Sequence, residues 1–399
     1  MAKAPWLTIV GLGEDGPDGL PPASRAALDA AEIVMGPPRH LALLPDLGAE
    51  RVEWPAPFAD GLPLLHGMRG RRVVVLASGD PFWFGAGSVI AREFDPGEWR
   101  ALPGPSTFSL AAARLGWPLE VTLCLGLHAA PLARLRPHLA RGARALVLVR
   151  DGAAVHDLAR WLCGQGFGAS TLWVMQALGG PREHVRRATA DTLDFDDIAH
   201  PVCVGLDCAG NGATIPAASG WPDEVFAHDG QITKRPVRAL TLSALAPHPG
   251  EQLWDIGGGS GSIAIEWLAC HPSLSATSIE ADPDRAARIR ANADALGADR
   301  LRVVQGCAPD ALADLAPPDT VFIGGGLSQA LLTDLWARLT PGVRIVANAV
   351  TLESEALLTT WQADHGGDLL RLELSHAQPL GGKRGWRAAY PIVQWSVTR

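Results

Sequence analysis

The stretch Leu253-Trp254-Asp255-Ile256-Gly257-Gly258-Gly259-Ser260-Gly261-Ser262 leaves the backbone few courses. It reads as a short apolar strand with an acidic residue at its tip, a glycine hairpin, and a helix from Ile263 to Leu268. Gly257, Gly259 and Gly261 alternate, so a ligand can lie against bare backbone there. The N-terminal N–H groups of the following helix point at the same place. Such a strand–turn–helix belongs to an α/β fold and forms a nucleotide-type pocket. A dinucleotide fingerprint, G-x-G-x-x-G, would put Ser262 where a third glycine packs helix on strand. The glycines by themselves leave the ligand class open.

The chain around this turn alternates strands and helices. Ala276–Glu280 is a second strand, ending in a carboxylate about 20 positions beyond the glycines, where both ribose hydroxyls can be accepted. Asp282 and Asp284 suit the start of the helix Arg285–Leu296. Leu301–Gln305, Asp319–Ile323 and Val343–Ala349 continue the sheet, with end loops at Gly306-Cys307-Ala308-Pro309 and Gly324-Gly325-Gly326, and a further helix follows from about Glu353. Leu369–Ser375 and Ala388–Trp395 close the domain as a pair of strands, joined by a mobile cationic loop at Gly381–Gly385 that carries Lys383 and Arg384. Ahead of the turn, Thr233, Lys234, Arg235 and Arg238 form a cationic cluster at the start of a helix over Pro236–Leu245. That cluster reads either as a charged surface or as an anion clamp over the pocket.

The closing pair of strands decides the ligand. Together with Asp255 two positions before the first glycine, it resembles the class I S-adenosylmethionine (SAM) methyltransferases, whose seven-stranded sheet ends in a reversed strand. The resemblance implies SAM held by Thr233, Asp255, Gly257, Gly259, Gly261 and Glu280, with Cys307 and Ala308 at the adenine and Gly324 beside the sulfonium. Within that class, residues 229–395 resemble a small cobalamin-pathway methyltransferase that also decarboxylates its precorrin.

The first half is built differently. Trp6–Gly13, Glu32–Met35, Arg72–Ala77 and Trp99–Leu102 read as strands, and Ser24 reads as the cap of a helix over Arg25–Ala31. Three strand ends are glycine and proline loops: Gly11–Gly13, Gly79-Asp80-Pro81, and Pro103-Gly104-Pro105-Ser106-Thr107, which leads into the helix Phe108–Leu115. In a parallel sheet ligands collect at such ends. Beyond Gly116-Trp117-Pro118, strands at Ala145–Val149, Thr171–Met175, Glu183–Thr189 and Val202–Leu206 and a helix at Val155–Cys163 make a second lobe, in which Asp191–Asp197 reads as a solvated loop. In this order, with Phe82 and Phe84 flanking Trp83, the loops resemble the tetrapyrrole methylase family, or class III SAM methyltransferases. That implies a second SAM site in a trough between two α/β lobes, with Gly11, Gly79, Asp80, Pro81, Gly104, Ser106 and Thr107 binding it.

The expected organisation is therefore a tetrapyrrole methylase domain over 1–207, a Gly/Ala/Pro-rich linker over 208–228, and a Rossmann-like class I domain with a seven-stranded sheet over 229–399. The 399 residues suffice for both cores. A net charge of -8 argues against a general nucleic-acid binder. The six cysteines show no C-x-x-C pair or zinc spacing; most read as buried small residues, a reducing cytoplasmic compartment fits, and no metal is expected. Neither a leader nor a membrane-length apolar run is seen.

Two SAM folds in one chain resemble the fused, decarboxylating precorrin methyltransferases of the aerobic cobalamin pathway. That resemblance implies methylation of precorrin-6B at C5 by the first domain, and C15 methylation with decarboxylation of the C12 acetate by the second. A polyanionic tetrapyrrole calls for cationic clamps, so Arg235, Arg238, Lys383, Arg384 and Arg387 are candidate substrate ligands and Lys234 and His228 candidate catalytic groups. Association with further copies of the chain is expected. A nucleic-acid or protein methyltransferase would show an Asn-Pro-Pro-aromatic loop or a basic stripe after Asp319, and neither is present. A non-catalytic SAM sensor would have no use for the cationic cluster, and a dinucleotide oxidoreductase would bind NAD.

Overall fold

The structure, a computed structural model, describes residues 5–399; Lys3 lies outside them. The chain divides into two compact units, residues 5–130 with Ala140–Ala213, and Pro131–Leu139 with Thr214–Arg399. Pro131–Leu139, inside the span assigned from sequence to the first domain, clusters with the second unit, where Arg134 grips Asp299 by two hydrogen bonds of 2.9 Å.

The first unit opens with β1 (Leu7–Leu12), α1 (Pro22–Asp29), β2 (Ile33–Gly36), α2 (Pro38–Leu43), β3 (Glu50–Glu53), α3 (Gly61–Gly67), β4 (Val73–Ser78), α4 (Gly87–Glu93), β5 (Trp99–Leu102) and α5 (Thr107–Leu115). The five strands form a wholly parallel sheet in the order β3-β2-β4-β1-β5. Side chains alternate between two cores: Leu7, Ile9, Val73 and Val75 enter one, Val10, Leu12, Val74 and Leu76 the other. Both faces are covered, which is why these strands read as unbroken apolar runs. Ser24 does not cap α1. The helix starts at Pro22, whose φ is pre-set for a first turn, and Ser24 is buried inside it.

The second lobe comprises β6 (Leu123–Gly126), β7 (Arg144–Val149), α6 (Gly152–Gly164), β8 (Thr171–Gln176), β9 (His184–Thr189) and β10 (Val202–Asp207). Its strand order is β6-β7-β10-β8-β9, and only β6 and β7 run parallel. Strands β3 and β6 were not legible in the sequence; Glu50–Glu53 is a mostly exposed edge with a single apolar residue.

The second unit runs α7 (Arg235–Leu245), β11 (Gln252–Ile256), α8 (Ser262–Cys270), β12 (Ser275–Glu280), α9 (Pro283–Ala295), β13 (Arg302–Gln305), β14 (Thr320–Ile323), α10 (Gln329–Arg338), β15 (Arg344–Ala349), α11 (Leu352–His365), β16 (Asp368–Leu372), β17 (Ser375–Leu380), β18 (Lys383–Ala388) and β19 (Ile392–Thr398). Seven strands form one sheet, β13-β12-β11-β14-β15-β19-β16, in which β19 alone runs against its neighbours on both sides. The order reverses between β11 and β14, so the crevice for a ligand opens at their carboxyl ends. The cationic loop expected at Gly381–Gly385 is instead an exposed two-stranded ribbon of β17 and β18 turning at Gly381 and Gly382. Pro379 and Gly385 read as strand breakers, but an isolated ribbon has no buried face for them to disrupt.

Among the described residues no helix is long and apolar enough to cross a membrane, and no His/Cys/Asp/Glu group is placed to hold a metal. Only Cys203 and Cys208 of the six cysteines are buried; Cys163 and Cys270 lie exposed near the ends of α6 and α8, and Cys307 is exposed after β13.

Candidate active sites

The crevice of the second unit is a cleft of about 480 Å³. Its floor follows the carboxyl ends of β13, β12, β11, β14 and β15 in turn: Gly306–Ala308, Glu280 and Ala281, Gly257–Ser260, Gly324–Gly326, then Asn348 and Val350. The residues Gln231–Lys234 roof one side. Gly257 takes a φ of +73°, and a Cβ on it would sit 2.5 Å from the backbone N of Gly325. No side chain fits at Gly257 against the Gly325 backbone, so glycine is required there.

Glu280 is 7 % exposed and faces the cleft. Its Oε2 accepts the Gly259 N–H at 2.8 Å and its Oε1 the Asp282 N–H at 3.0 Å. Each oxygen keeps a lone pair for a ligand diol. Asp255 takes a different part. It is buried beneath the glycine loop and does not line the cleft, and its Oδ2 accepts the Ser278 hydroxyl at 3.1 Å. Burial, with Glu280 adding like charge, pushes its pKa up to about 7. Thr233, Gly257, Gly259, Cys307, Ala308 and Gly324 all line the cleft, while Gly261 lies outside its lining and opens α8 at φ +76°.

The cationic cluster is split by the fold. Lys234 lines the cleft with its side chain 58 % exposed, its ammonium 4.0 Å from Asp223. Arg238 is fully buried and so no substrate clamp: its guanidinium donates to Glu266 at 2.6 Å, to Asp223 at 3.0 Å, and to the carbonyls of Thr233 and Trp221. Arg238 falls on the buried stripe of α7 with Val237, Thr241, Leu242 and Leu245, whereas Arg235 is exposed at the helix start. Arg235 lies outside the cleft lining. His228 is exposed, does not line the cleft, and uses Nδ1 to accept the Gly230 N–H of its own turn. Lys383, Arg384 and Arg387 stand on the exposed ribbon and do not line the cleft. The structure adds Arg285, paired with Asp229 at 2.9 Å, and Asn348. The position of Arg285 at a helix start after the acidic strand end was a usable signal; nothing local marked Asn348.

In the first unit the three glycine loops meet. The Gly79 N–H donates to the Leu12 carbonyl at 3.1 Å and the Gly104 N–H to the Gly79 carbonyl at 2.9 Å. A Cβ on Gly11 would lie 1.8 Å from that same carbonyl oxygen. Asp80 accepts the Phe82 N–H at 2.8 Å, which throws Phe82, Trp83 and Phe84 out as an exposed aromatic lip after Pro81. Ser106 caps α5 by accepting the Ser109 N–H at 3.0 Å, and Thr107 is that helix's first residue. Sequence reasoning missed the polar group beside these loops. Glu14 sits between Arg39 and Arg182, and buried His40 places Nε2 2.8 Å from Arg39 and 3.1 Å from the Ser78 hydroxyl. Burial, then the Arg39 charge, lowers the His40 pKa to about 3.

Comparison with known proteins defines the class first. The tetrapyrrole (corrin/porphyrin) methylase model matches residues 6–194, and the precorrin methyltransferase domain model matches residues 224–399. The chain is 48% identical over 401 residues to a precorrin-6Y C(5,15)-methyltransferase (decarboxylating) of Sinorhizobium sp, covering 99% of this chain and 97% of that one. It belongs to the precorrin-6Y C(5,15)-methyltransferase (decarboxylating) family. Two shorter proteins of Salmonella typhimurium each match under half of it. A cobalt-precorrin-6B C(15)-methyltransferase (decarboxylating) is 32% identical over 43% of this chain and 91% of its own, and a cobalt-precorrin-7 C(5)-methyltransferase is 28% identical over 48% and 94%.

Proposed function

We propose that the chain methylates precorrin-6B at C15 and decarboxylates its C12 acetate in the second unit, methylates C5 in the first, and uses one SAM site in each, within aerobic cobalamin biosynthesis. The observation that carries this reading is the second unit's cleft, where a ribose-type carboxylate, a bare glycine floor and the exposed Lys234 side chain line one cavity. Glu280 and the backbone of Gly257–Ser260 suit a nucleoside, Gly306–Ala308 an adenine, and Gly324–Gly326 the reacting end. When bound, SAM supplies an electrophilic methyl group on a cationic sulfur.

The residues of the chain have little covalent chemistry to do. A meso carbon of a reduced tetrapyrrole is enamine-like and nucleophilic by itself, so positioning supplies most of the acceleration. Gly257 and Gly325 keep side chains out of the space between the loops. The roof from Gln231 to Lys234 excludes water, and Lys234 meets substrate carboxylates. Decarboxylation of the acetate breaks its carbon–carbon bond and leaves the electron pair on the ring-conjugated methylene. A proton from solvent completes the step by turning the methylene into a methyl group; a drier cleft favours release of carbon dioxide. In the first unit Gly11, Gly79 and Gly104 let the three loops close on one another beside the other SAM, and Ser106 and Thr107 offer the start of α5. The substrate is the small molecule alone, and copies of the chain associate.

Mass analysis of the products from the full-length chain, precorrin-6B and SAM tests the reading. Gain of two methyl groups with loss of one carbon dioxide is expected. A product that keeps both carboxyl carbon and mass would overturn it.

A further inference from the structure

We infer that Asn348 anchors the substrate in the second unit's site, holding one peripheral carboxylate of the macrocycle jointly with Lys234; this rests on the reading of that cleft as a SAM–tetrapyrrole site. The sheet sets the scale. Glu280 ends β12 and Asn348 nearly ends β15, three strand spacings away across β11 and β14, or about 14 Å. A nucleoside gripped at Glu280 and Gly306–Ala308 occupies the β13–β11 end, leaving the β15 end, with Asn348, Val350, Ile392 and Lys234, to the second reactant.

The Asn348 amide is locked from behind. Its Nδ2 donates to the Thr241 Oγ1 at 2.9 Å, and its Oδ1 accepts from the Gln394 Nε2 at 2.9 Å. Gln394 also donates to the Thr241 Oγ1 at 3.1 Å. Thr241 and Gln394 are both buried, at 0% and 4% exposure. Flipping the Asn348 amide would set its NH2 against the NH2 of Gln394 and lose that bond, so the Gln394 donor favours the orientation shown. An amide nitrogen carries two N–H groups and only one is used, which leaves the second for the cleft. Burying a hydroxyl and an amide solely to hold a third polar group is costly unless that group is needed in place.

A neutral donor and an ammonium lining one cleft can together take the two oxygens of a carboxylate, with Lys234 turning to it from Asp223. The pair strengthens a carboxylate in the ground state, which would slow release of carbon dioxide from that same group. The anchored carboxylate is therefore one the product retains, and the anchor fixes the macrocycle for both reactions of this unit.

Steady-state kinetics on the full chain test this, with SAM titration and thermal melting of every variant. Asn348→Ala should raise KM for the tetrapyrrole about tenfold to a hundredfold, the worth of one hydrogen bond to a charged group, in both C15 methylation and decarboxylation. Its kcat and SAM affinity should stay near those of the parent. Asn348→Asp should be worse, since it sets an anion against an anion. Thr241→Val, isosteric but without the hydroxyl, should reproduce part of the KM rise, and Thr241→Ser should restore it, which marks Thr241 as a positioning residue. If the parent turns over and Asn348→Ala keeps KM within about twofold, or loses activity only in step with SAM affinity and melting temperature, this inference is wrong. A parent chain that binds SAM but converts no tetrapyrrole overturns the functional reading and this one with it.

Discussion

Asp255 and His40 are buried titratable groups whose contributions to stability run in opposite directions with pH. His40 has a folded pKa near 3 against an ordinary 6.5, because burial and the Arg39 charge disfavour its cation. Below 6.5 the unfolded chain takes up a proton that the folded chain refuses, so this contribution is whole above 6.5 and is lost as pH falls toward 3. Asp255 is raised from 3.8 to about 7, so the folded chain keeps a proton that the unfolded chain has released. Its contribution is whole below 3.8 and is lost as pH rises through 7, at about 1.4 kcal/mol per pH unit at most. Calorimetry of the chain between pH 4 and 8 should show Asp255→Asn more stable than the parent at pH 8 and alike at pH 4. His40→Gln should resist acid better than the parent; parallel curves would refute the assignment. Glu280→Gln, which removes the charge proposed to take the ribose hydroxyls, should weaken SAM binding in the second unit by about a hundredfold, read by titration.

At the scale of elements, the segment from Gly220 to Lys234 is tied down before it reaches the cleft. The Glu266 carboxylate on α8 accepts the N–H groups of Gly220 at 2.6 Å and Trp221 at 2.9 Å, and pairs with Arg238 of α7. Asn292 of α9 exchanges two hydrogen bonds of 2.9 Å with the Ala227 backbone, and Asp229 reaches Arg285 and Arg288. These ties set the roof that carries Thr233 and Lys234. Arg238→Met strands a buried carboxylate and should cost about 3–5 kcal/mol in denaturant unfolding. Adding Glu266→Gln should recover much of that, because the uncompensated charge goes. A single-variant loss under about 1 kcal/mol would show that the pair is not the tie.

For the whole molecule, the proposal of one SAM site in each unit requires that each can be silenced alone. Gly79 has a φ of +50°, and its Cβ would lie 2.6 Å from the Pro105 carbonyl, so Gly79→Val distorts the loops of the first unit. Titration of the parent chain should give two SAM per chain, and Gly79→Val and Glu280→Gln one tight site each. In product masses Gly79→Val should stop one methylation while carbon dioxide is still released. Loss of both methylations in either variant would contradict independent sites.

The residue pattern alone marked an α/β fold and most of its strands, because buried parallel strands must be apolar on both faces and glycine is required where two loops touch backbone to backbone. Gly257 against Gly325 and Gly11 against Gly79 follow from that rule. The two SAM folds came from resemblance to known families. Which charged residues reach a ligand was decided only by tertiary structure. Arg238 and Lys234 are four positions apart and equally cationic, yet the packing of α7 on α8 buries one against Glu266 and leaves the other in the cleft. Lys383 and Arg384 were displaced from the site by strand pairing in a ribbon, and Asn348 was brought into it by partners 107 and 46 residues away. Periodicity reports which side of an element is buried; it carries no information on what that side meets.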